Sequence, residues 1–458
     1  MRTLLYIMIS SIAAIQACRN QSSAIQAADQ PAVSALQRAS RPLETEKDLD
    51  SLLAAIGNSR YVLLGEASHG TAEFYQWRAA ITRRLIQEKG FTMVSVEGDW
   101  PDAYAVNQYV QGKGAAGRAT EVLQAFDRWP TWMWANTEIA QLAEWMRGYN
   151  AQSNQKASFY GLDVYSLWES LEQLTALQAT DPQTAALARQ ALQCFDGYRG
   201  DEQAYAAATL RGTRCNTALN QLLSHVQSRY STSTSDTTSF NIVQNAQVAV
   251  NAERYYYAMV RDDAESWNIR DRHMAATLDR LMQLHGPTSK MIVWAHNTHV
   301  GDARYTDMAG AGMVNLGQLV RESHEREGVY ILGFGTYQGS VIAGRSWGAT
   351  PQQMNVPESP AGSWDELIQR VTPDNKLVFL NKLRSEPTLT QTRGQRAIGV
   401  VYNPARESGN YVPTKLTERY DALAFFNRTQ ALTPLPVQSQ GRKEASNAPV
   451  GTYALIND

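Results

Sequence analysis

Five short apolar segments, placed between stretches with helical periodicity, constrain the fold of this chain more than any other feature. They lie at residues 60–65, 92–96, 157–161, 290–295 and 329–333. Short runs of this kind are typical of strands that are buried on both faces, as in parallel sheets. Residues 72–89 have a helical pattern that Gly90 ends, so the first two segments predict a strand–helix–strand unit. The sequence therefore predicts an α/β fold whose mainly parallel sheet is covered by helices on both faces, a three-layer αβα arrangement.

A long helical interval separates the third segment from the fourth. Residues 163–285 have almost no strand signal, and helical patterning covers 163–177, 181–196, 201–227, 238–262 and 265–284. We expect this interval to be an all-helical subdomain inserted into an α/β core whose two parts are residues 43–162 and 286–458. Strand-like segments at 376–380, 396–402 and 420–429 predict added strands and a small C-terminal α+β element.

The first 42 residues have the pattern of an export signal followed by a tether. An apolar run at residues 4–15 follows Arg2, and the residues before Cys18 resemble a bacterial lipobox. We expect residues 1–17 to be a lipoprotein signal peptide, Cys18 to carry the lipid, and the protein to be exported as a periplasmic or membrane-anchored lipoprotein. The alternatives are ordinary cleavage of a signal peptide near this position and an apolar first helix of the fold. Residues 18–42 are polar and rich in Ala, Ser and Gln, so we expect a tether there.

Charge and hydropathy exclude several classes of partner. The 42 Lys and Arg residues nearly balance the 44 Asp and Glu residues, which argues against nucleic acid. Because 43% of the residues are hydrophobic, we do not expect disorder as the general state of the chain. No segment after residue 20 approaches the roughly 18 apolar residues of a membrane-spanning helix. We therefore expect contact with a membrane only through the N-terminal lipid anchor.

Two cysteines remain once Cys18 is set aside. Cys194 and Cys215 both lie in the helical interval, at a separation that suits the two arms of a helical hairpin. A disulfide fits an oxidising periplasm, and two unpaired buried thiols fit the sequence equally well. The sequence alone leaves both possibilities open.

Acidic and histidine side chains follow four of the five apolar segments, at the points where the strands are expected to end. In chain order they are Glu66 and His69, Glu97, Asp163, and His296 and His299. The carboxyl ends of parallel strands meet at one edge of a sheet, where ligand crevices form. The sequence therefore predicts one site that is built from four separate strands.

A histidine beside a carboxylate suits proton transfer near neutral pH. Glu66 or Glu97 can hold the tautomer of His69 and stabilise its imidazolium. His296 or His299 can then position water or polarise a carbonyl group. None of the three cysteines follows a strand segment, and we expect no serine nucleophile either. The set therefore predicts a reaction with activated water.

Each of these residues also has a structural interpretation. Histidines and acids in loops are often only exposed, and Asp163 is well placed to be the N-cap of the next helix. The set also contains imidazole and carboxylate ligands for a divalent ion that would generate hydroxide directly. Because the spacing differs from that of the zinc-binding His-Glu-x-x-His helix, we predict no metal site and no cofactor. A metal-assisted reaction is the alternative.

Five blocks of the sequence, taken in order, carry a family resemblance. The blocks are residues 63–71 with Glu73, Phe74 and Arg78, then residues 96–100, 126–134, 160–163 and 294–302. This ordered set resembles the erythromycin esterase family over about residues 45–430. The resemblance implies an α/β core with a helical part over the site.

The resemblance also implies a function and roles for the site residues. It implies a carboxylic-ester hydrolase that opens the macrocyclic lactone of macrolide antibiotics with activated water and so confers macrolide resistance. By position, His69 is similar to the family's general base, with Glu66 and Glu97 as acidic neighbours. Arg78 and His296 match further active-site positions. The alternatives are another large ester as the substrate and a non-catalytic protein that binds a hydrophobic ligand.

Overall fold

The computed structural model describes residues 28–230 and 236–437. The predicted signal peptide and Cys18 lie outside the described residues. The strands within the described residues are β1 (Ser40–Pro42), β2 (Tyr61–Leu64), β3 (Met93–Val96), β4 (Ser158–Gly161), β5 (Met291–Trp294), β6 (Val329–Ala343), β7 (Gln352–Val356), β8 (Lys376–Val378), β9 (Arg393–Arg396), β10 (Tyr411–Thr414) and β11 (Ala422–Thr429).

The α-helices surround these strands and fill the long interval between β4 and β5. They are α1 (Gln30–Ala39), α2 (Asp50–Ile56), α3 (Ala72–Lys89), α4 (Trp100–Val110), α5 (Ala119–Val122), α6 (Thr137–Gln152), α7 (Leu167–Thr175), α8 (Pro182–Gln193), α9 (Glu202–Thr209), α10 (Asn216–Arg229), α11 (Thr237–Met259), α12 (Asp263–His285), α13 (Asn297–Val300), α14 (Leu316–His324), α15 (Trp364–Gln369) and α16 (Leu416–Arg419). None of those in residues 28–230 and 236–437 combines the length and the apolar character that crossing a membrane requires.

Nine of the described strands form one sheet, in the order β1-β8-β11-β6-β2-β5-β3-β4, with β7 paired to β6. The pairings from β11 through β6, β2, β5 and β3 to β4 are parallel. Strands β1, β7 and β8 pair in antiparallel fashion. The predicted α/β fold with a mainly parallel sheet is confirmed.

Both faces of the sheet are covered, which explains why its central strands are apolar throughout. All four residues of β2, β3, β4 and β5 are buried. Along β2, Val62 and Leu64 pack into one hydrophobic cluster, and Tyr61 and Leu63 pack into another. Because successive side chains of a strand point to opposite faces, these clusters are the two layers on either side of the sheet.

The inserted helical part has a core of its own. Helices α7 to α11 bury a third hydrophobic cluster, which includes Leu171, Ala188 and Leu222. A disulfide joins Cys194, directly after α8, to Cys215, directly before α10. Of the two possibilities that the sequence leaves open for these cysteines, the structure therefore has the disulfide.

The tether expected for residues 18–42 is wrong for the described part of that range. Residues 30–39 form α1, and β1 pairs with β8 at the edge of the sheet. The mean composition of the segment is polar, but Val33, Leu36 and Ala39 recur at helical spacing and are buried. The periodicity of a few apolar residues, rather than the average composition, decided the structure.

Two further expectations differ from the structure in detail. The strand expected at 396–402 is confined to its first residue, since β9 ends at Arg396 and pairs with β10 in a separate small sheet. The single helical pattern at 201–227 is two helices, α9 and α10. Gly212 lies between them with a φ of 94°, in the left-handed region that favours glycine, and so turns the chain.

Candidate active site

The loop after β2 places His69 and Glu66 at the carboxyl end of the sheet. His69 Nδ1–H donates to Glu66 Oε1 at 2.9 Å, and both side chains are buried. The loop lies directly against β6: a Cβ atom at Gly70 would be 1.9 Å from the carbonyl oxygen of Ile342. Only glycine therefore permits this close approach, which fixes the loop that carries the histidine.

Arg78 holds the second oxygen of the Glu66 carboxylate. The residue lies in α3, where its Nη2 donates to Glu66 Oε2 at 2.6 Å, and neither side chain is exposed. The guanidinium lies over the rings of Tyr75 and Trp294, at 4.3 and 4.6 Å from their centroids. Aromatic faces stabilise a cation that has lost its water. Arg78 therefore holds the Glu66 carboxylate in place behind His69.

His296 lies next to His69 and is held as a neutral imidazole. It precedes α13, and its Nδ1 accepts hydrogen bonds from the backbone N–H and the hydroxyl of Thr298 at 3.3 and 2.8 Å. Burial, together with the neighbouring His69, lowers the pKa of His296 well below its usual value. Since Nδ1 accepts, the proton of the neutral ring is on Nε2, which has no hydrogen-bond partner among the described residues. The His69 and His296 rings are 4.8 Å apart.

A second group of charges surrounds His299. Its Nδ1 lies 3.0 Å from both carboxylate oxygens of Asp271, and its Nε2 lies 3.3 Å from Glu97 Oε1. Burial alone would lower the pKa of His299, but the carboxylates of Asp271 and Glu97 outweigh it and raise the pKa to about 9. Arg270, whose Nη1 lies 2.9 Å from His299 Nε2, disfavours protonation of His299. Its effect is weaker than that of the two carboxylates. The ring of Trp267 stacks on His299 at 4.5 Å.

Arg270 joins the ends of two strands. Its Nε and Nη2 donate to Asp163 at 2.9 and 2.7 Å, and Nη2 also donates to Glu97 Oε1 at 2.7 Å. Burial opposes ionisation of Glu97, yet the nearby charges of His299 and Arg270 hold its pKa well below the usual value. Glu97 Oε2 also accepts the backbone N–H of His296 at 2.7 Å. The ion pairs thus bind β3, β4 and α12 around the loop that carries His296.

Asp163 belongs to this ion-pair group and does not cap a helix. Helix α7 begins at Leu167 and its N-cap is Ser166. Burial opposes ionisation of Asp163 too, but Arg270 lowers its pKa below the usual value. The N-cap interpretation of Asp163 is therefore wrong, and its place at a strand end near the other site residues is as expected.

A cavity of about 960 Å³ opens over these residues. His69, Glu97, Asp163, His296 and His299 all contribute to its wall. Much of the rest of the wall comes from three loops, at residues 126–134, 345–347 and 397–410. Glu66 and Arg78 lie behind His69 and do not line the cavity, so they act on a ligand only through the histidine.

The tryptophans of the 126–134 loop divide between core and cavity. Trp132 is buried in the core, and Trp134 is mostly buried while its Nε1 donates to the carbonyl oxygen of Glu97 at 3.0 Å. Trp129 is only half-buried and lies at the cavity. Most of this aromatic cluster is therefore core packing, and Trp129 is its least buried member at the cavity.

A Gly-x-Ser-x-Gly sequence at residues 344–348 bears on the expectation that the site has no serine nucleophile. In a nucleophile elbow, this motif turns a strand into a helix and presents the serine to a histidine. Here it joins β6 to β7, two antiparallel strands, and Ser346 is exposed. No base donates to or accepts from its hydroxyl among the described residues, so the geometry is not that of an elbow.

The carboxylates of the site are already paired with arginines. Glu66 is paired with Arg78, and Glu97 and Asp163 are paired with Arg270. Within residues 28–230 and 236–437, no group of three or more His, Cys, Asp or Glu side chains is arranged to hold a metal ion. The donors present therefore do not fit a metal centre.

The structure brings together all the site residues expected from the sequence within the described range. It also adds Arg270 and Asp271, which the sequence argument missed. Both lie in the middle of α12, where a charged pair has the pattern of an ordinary solvated helix face. Burial distinguishes them, and no signal in the local sequence reveals it.

Comparison with known proteins places this geometry in a family. The sequence profile described as erythromycin esterase matches residues 86–429. YbfO of Bacillus subtilis strain 168, provisionally named a hydrolase, is 21% identical over 81% of this chain and 84% of its own length. Erythromycin esterase type II of Escherichia coli is 28% identical over 123 residues, which are 27% of this chain and 28% of that protein. Erythromycin esterase type I of Escherichia coli is 20% identical over 60% of this chain and 70% of its own length.

Solved structures show the same fold at low sequence identity. A Bacillus cereus protein superposes with a TM-score of 0.74 at 19% identity, covering 89% of this chain and 99% of its own. A mutant of the erythromycin esterase EreC in its open conformation gives a TM-score of 0.62 at 17% identity. The match covers 86% of this chain and 97% of the EreC chain. The family profile covers most of the chain, and the family name and the provisional name of YbfO both indicate a hydrolase. The chain belongs to the erythromycin esterase family.

Proposed function

We propose that this protein is a carboxylic-ester hydrolase that opens the macrocyclic lactone of macrolide antibiotics with a water molecule activated by His69, and so confers resistance to them. One observation carries the proposal: His69 and His296 line the same cavity, His69 as a proton acceptor and His296 as a hydrogen-bond donor. His69 is fixed by Glu66 through Nδ1, which leaves Nε2 to accept a proton. His296 is neutral and has a free Nε2–H.

In the proposed reaction, His69 is the general base. Its Nε2 takes a proton from water while the water oxygen forms a bond to the carbonyl carbon of the ester. The resulting imidazolium is stabilised by the Glu66 carboxylate, 2.9 Å from Nδ1. When the C–O bond of the ester breaks, the same imidazolium returns the proton to the departing alkoxide. The products are a carboxylic acid and an alcohol, and one water is consumed.

His296 is proposed to stabilise the negative charge that develops on the carbonyl oxygen. A donor whose direction is fixed before the reaction costs no reorganisation when that charge appears. The Thr298 backbone N–H and hydroxyl provide this direction by fixing Nδ1 as an acceptor. A neutral ring also avoids placing a second positive charge beside His69 as it becomes protonated.

The size of the cavity supports a large substrate. Pockets for small molecules occupy roughly 300–1,000 Å³, and the cavity of about 960 Å³ lies at the upper end of this range. A macrolide or another large ester fits these dimensions better than a short-chain ester does. Membership of the erythromycin esterase family supports the same class of substrate.

Export of the protein is part of the proposal. The disulfide between Cys194 and Cys215 is typical of proteins that fold in an oxidising compartment. Together with the signal-like and lipobox-like start, it favours a periplasmic or lipid-anchored enzyme that meets its substrate outside the cytoplasm. In this proposal the only partners are a macrolide or another large ester and, through the lipid, a membrane.

The test is mass spectrometry of erythromycin after incubation with the purified mature protein. We expect the wild type to add the mass of one water and His69→Ala to lose at least about a hundredfold in rate. The circular dichroism melting curve of the variant should stay close to that of the wild type, because His69 lines a cavity rather than filling the core.

Two controls separate this mechanism from its competitors. Ser346→Ala is expected to retain the wild-type rate, and a loss comparable to that of His69→Ala would favour a serine nucleophile. Treatment with EDTA is expected to leave the rate unchanged, and a loss restored by one divalent ion would favour the metal-assisted reaction. Addition of water by His69→Ala at the wild-type rate would refute His69 as the base.

A further inference from the structure

Two tryptophans from distant parts of the sequence meet at the mouth of the cavity. Trp129 lies in the loop before α6, and Trp347 lies in the turn between β6 and β7. Their ring centroids are 4.7 Å apart at an angle of 53°. Both residues line the cavity that contains His69 and His296. The two rings thus form one aromatic surface, which we call the tryptophan pair.

The two members of the tryptophan pair differ in how they are held. Trp129 is fixed, since its Nε1 donates to the carbonyl oxygen of Ala349 at 3.0 Å. A Cβ atom at Gly344 would lie 2.9 Å from the Trp129 ring, so glycine lets the turn close over this ring. Trp347 is 37% exposed, and with Leu210 it is one of two large hydrophobic side chains exposed in the described residues.

The backbone that carries Trp347 is anchored even though its side chain is not. The N–H of Gly344 donates to the carbonyl oxygen of Val400 at 2.9 Å, and the N–H of Tyr402 donates back to Gly344 at 2.9 Å. The exposed part of the Trp347 indole is apolar surface that an apolar ligand in the cavity can cover, because both members of the tryptophan pair contribute to the cavity wall.

We propose that Trp347, set against Trp129, selects esters that have a large apolar body by covering that body while the ester group reaches His69. This inference deepens the proposed function, on which it rests. The substrate class is therefore an ester with a broad apolar face, such as a macrocycle, and a short acyl ester does not use the tryptophan pair. Trp347 touches the substrate at a distance from the reacting atoms, so it contributes to binding and not to the chemical step.

The test compares Trp347→Ala with the wild type on erythromycin and on 4-nitrophenyl acetate. Removing the indole should raise the KM for erythromycin about tenfold, from the apolar area that it no longer covers. We expect kcat to stay within about twofold, because the chemical step is untouched. The kcat/KM for 4-nitrophenyl acetate should not change, and Trp347→Phe should recover most of the lost affinity.

Leu210→Ala is the matched control, since Leu210 is exposed, is large and does not line the cavity. It should leave both substrates unaffected. Equal changes on both substrates in Trp347→Ala, or a large fall in melting temperature, would mean that Trp347 is structural and would overturn the proposal. So would an unchanged KM for erythromycin.

Calorimetry separates failure of this inference from failure of the proposed function. Erythromycin is titrated into His69→Ala and into His69→Ala with Trp347→Ala, where turnover does not interfere. About tenfold weaker binding in the double variant supports the role of Trp347 even if the wild type adds no water to erythromycin. Equal binding by the two proteins, or no saturable binding by His69→Ala, overturns it.

Discussion

His296 and His299 lie three residues apart at the same strand end, yet the structure gives them opposite charge states. The pKa of His296 is well below its usual value, because burial and the neighbouring His69 disfavour its proton. Burial acts on His299 as well, but two carboxylates raise its pKa to about 9. The ring at His296 is neutral near pH 7, and the ring at His299 is a cation.

The difference follows from what each ring contacts. His296 receives hydrogen bonds on Nδ1 from Thr298, and its Nε2 has no hydrogen-bond partner in the part of the chain that the structure describes. His299 has Asp271 at one nitrogen and Glu97 at the other. A protonated ring between two carboxylates is a fixed ion, whereas a neutral ring with a free N–H can respond to a ligand.

The comparison distinguishes, within one short segment, a side chain that can take part in a reaction from one that stabilises the structure. The His69 and His296 side of the site has nitrogen atoms that are free to accept or donate. On the His299 side every polar group is already engaged, mainly by Arg270 and Asp271. We therefore expect substitutions on the first side to change rates and substitutions on the second side to change stability.

The largest effect is expected for Arg270→Met, which leaves Glu97 and Asp163 buried without their shared cation. The free energy of unfolding should fall by about 3–5 kcal/mol, because an unpaired buried charge keeps its desolvation cost. Urea denaturation followed by circular dichroism measures the change. Arg118→Met is the control: its pair with Glu121 is largely exposed, so the change should be much smaller. Equal effects at the two sites would refute the buried network.

A smaller effect, on rate alone, is expected for His296→Phe. The ring is similar in shape but lacks the Nε2–H, so kcat should fall by about a hundredfold to a thousandfold. The melting temperature should change little, because His296 makes no ion pair in the described residues. Steady-state kinetics on the substrate of the wild type measures the loss. A large rise in KM with unchanged kcat would show that His296 only binds the ground state.

The smallest effect is a pH dependence of stability that originates at His299. Its folded pKa of about 9 is above the ordinary value of 6.5. The stabilisation is therefore complete below about pH 6.5 and is lost as the pH rises through 9. Between pH 7 and pH 9 the wild type should lose about 2 kcal/mol relative to His299→Gln. Parallel unfolding curves at each pH give this difference, and a constant difference would exclude an imidazolium at His299.

The elements that the sequence predicted best are those with a single structural explanation. Short apolar segments between helical patterns predicted β2, β3, β4 and β5 to within one or two residues, because strands buried on both faces of a parallel sheet have this pattern. The helix at 72–89 was predicted with its bounds, since Gly90 adopts a left-handed conformation at its end. The site residues at the strand ends came from the same pattern.

The parts that were missed depend on contacts between distant segments. Residues 397–402 do not form a strand: four of them line the cavity, while Ile398 and Tyr402 are buried in a hydrophobic cluster. Arg270 and Asp271 look like surface charges until α12 is packed against β3 and β4. Local periodicity predicts an element, but it does not report which polar groups the assembled fold will bury.

Strand β6 runs without a break from the middle of the sheet to the mouth of the cavity, where it turns back as β7. The turn that bears Trp347 is therefore a contiguous piece of chain, separate from the strand ends that bear His69 and His296. Such a turn can be lengthened, shortened or replaced over evolutionary time while the strand order and the reacting groups stay in place. In this way related enzymes can keep one hydrolytic centre and act on different substrates.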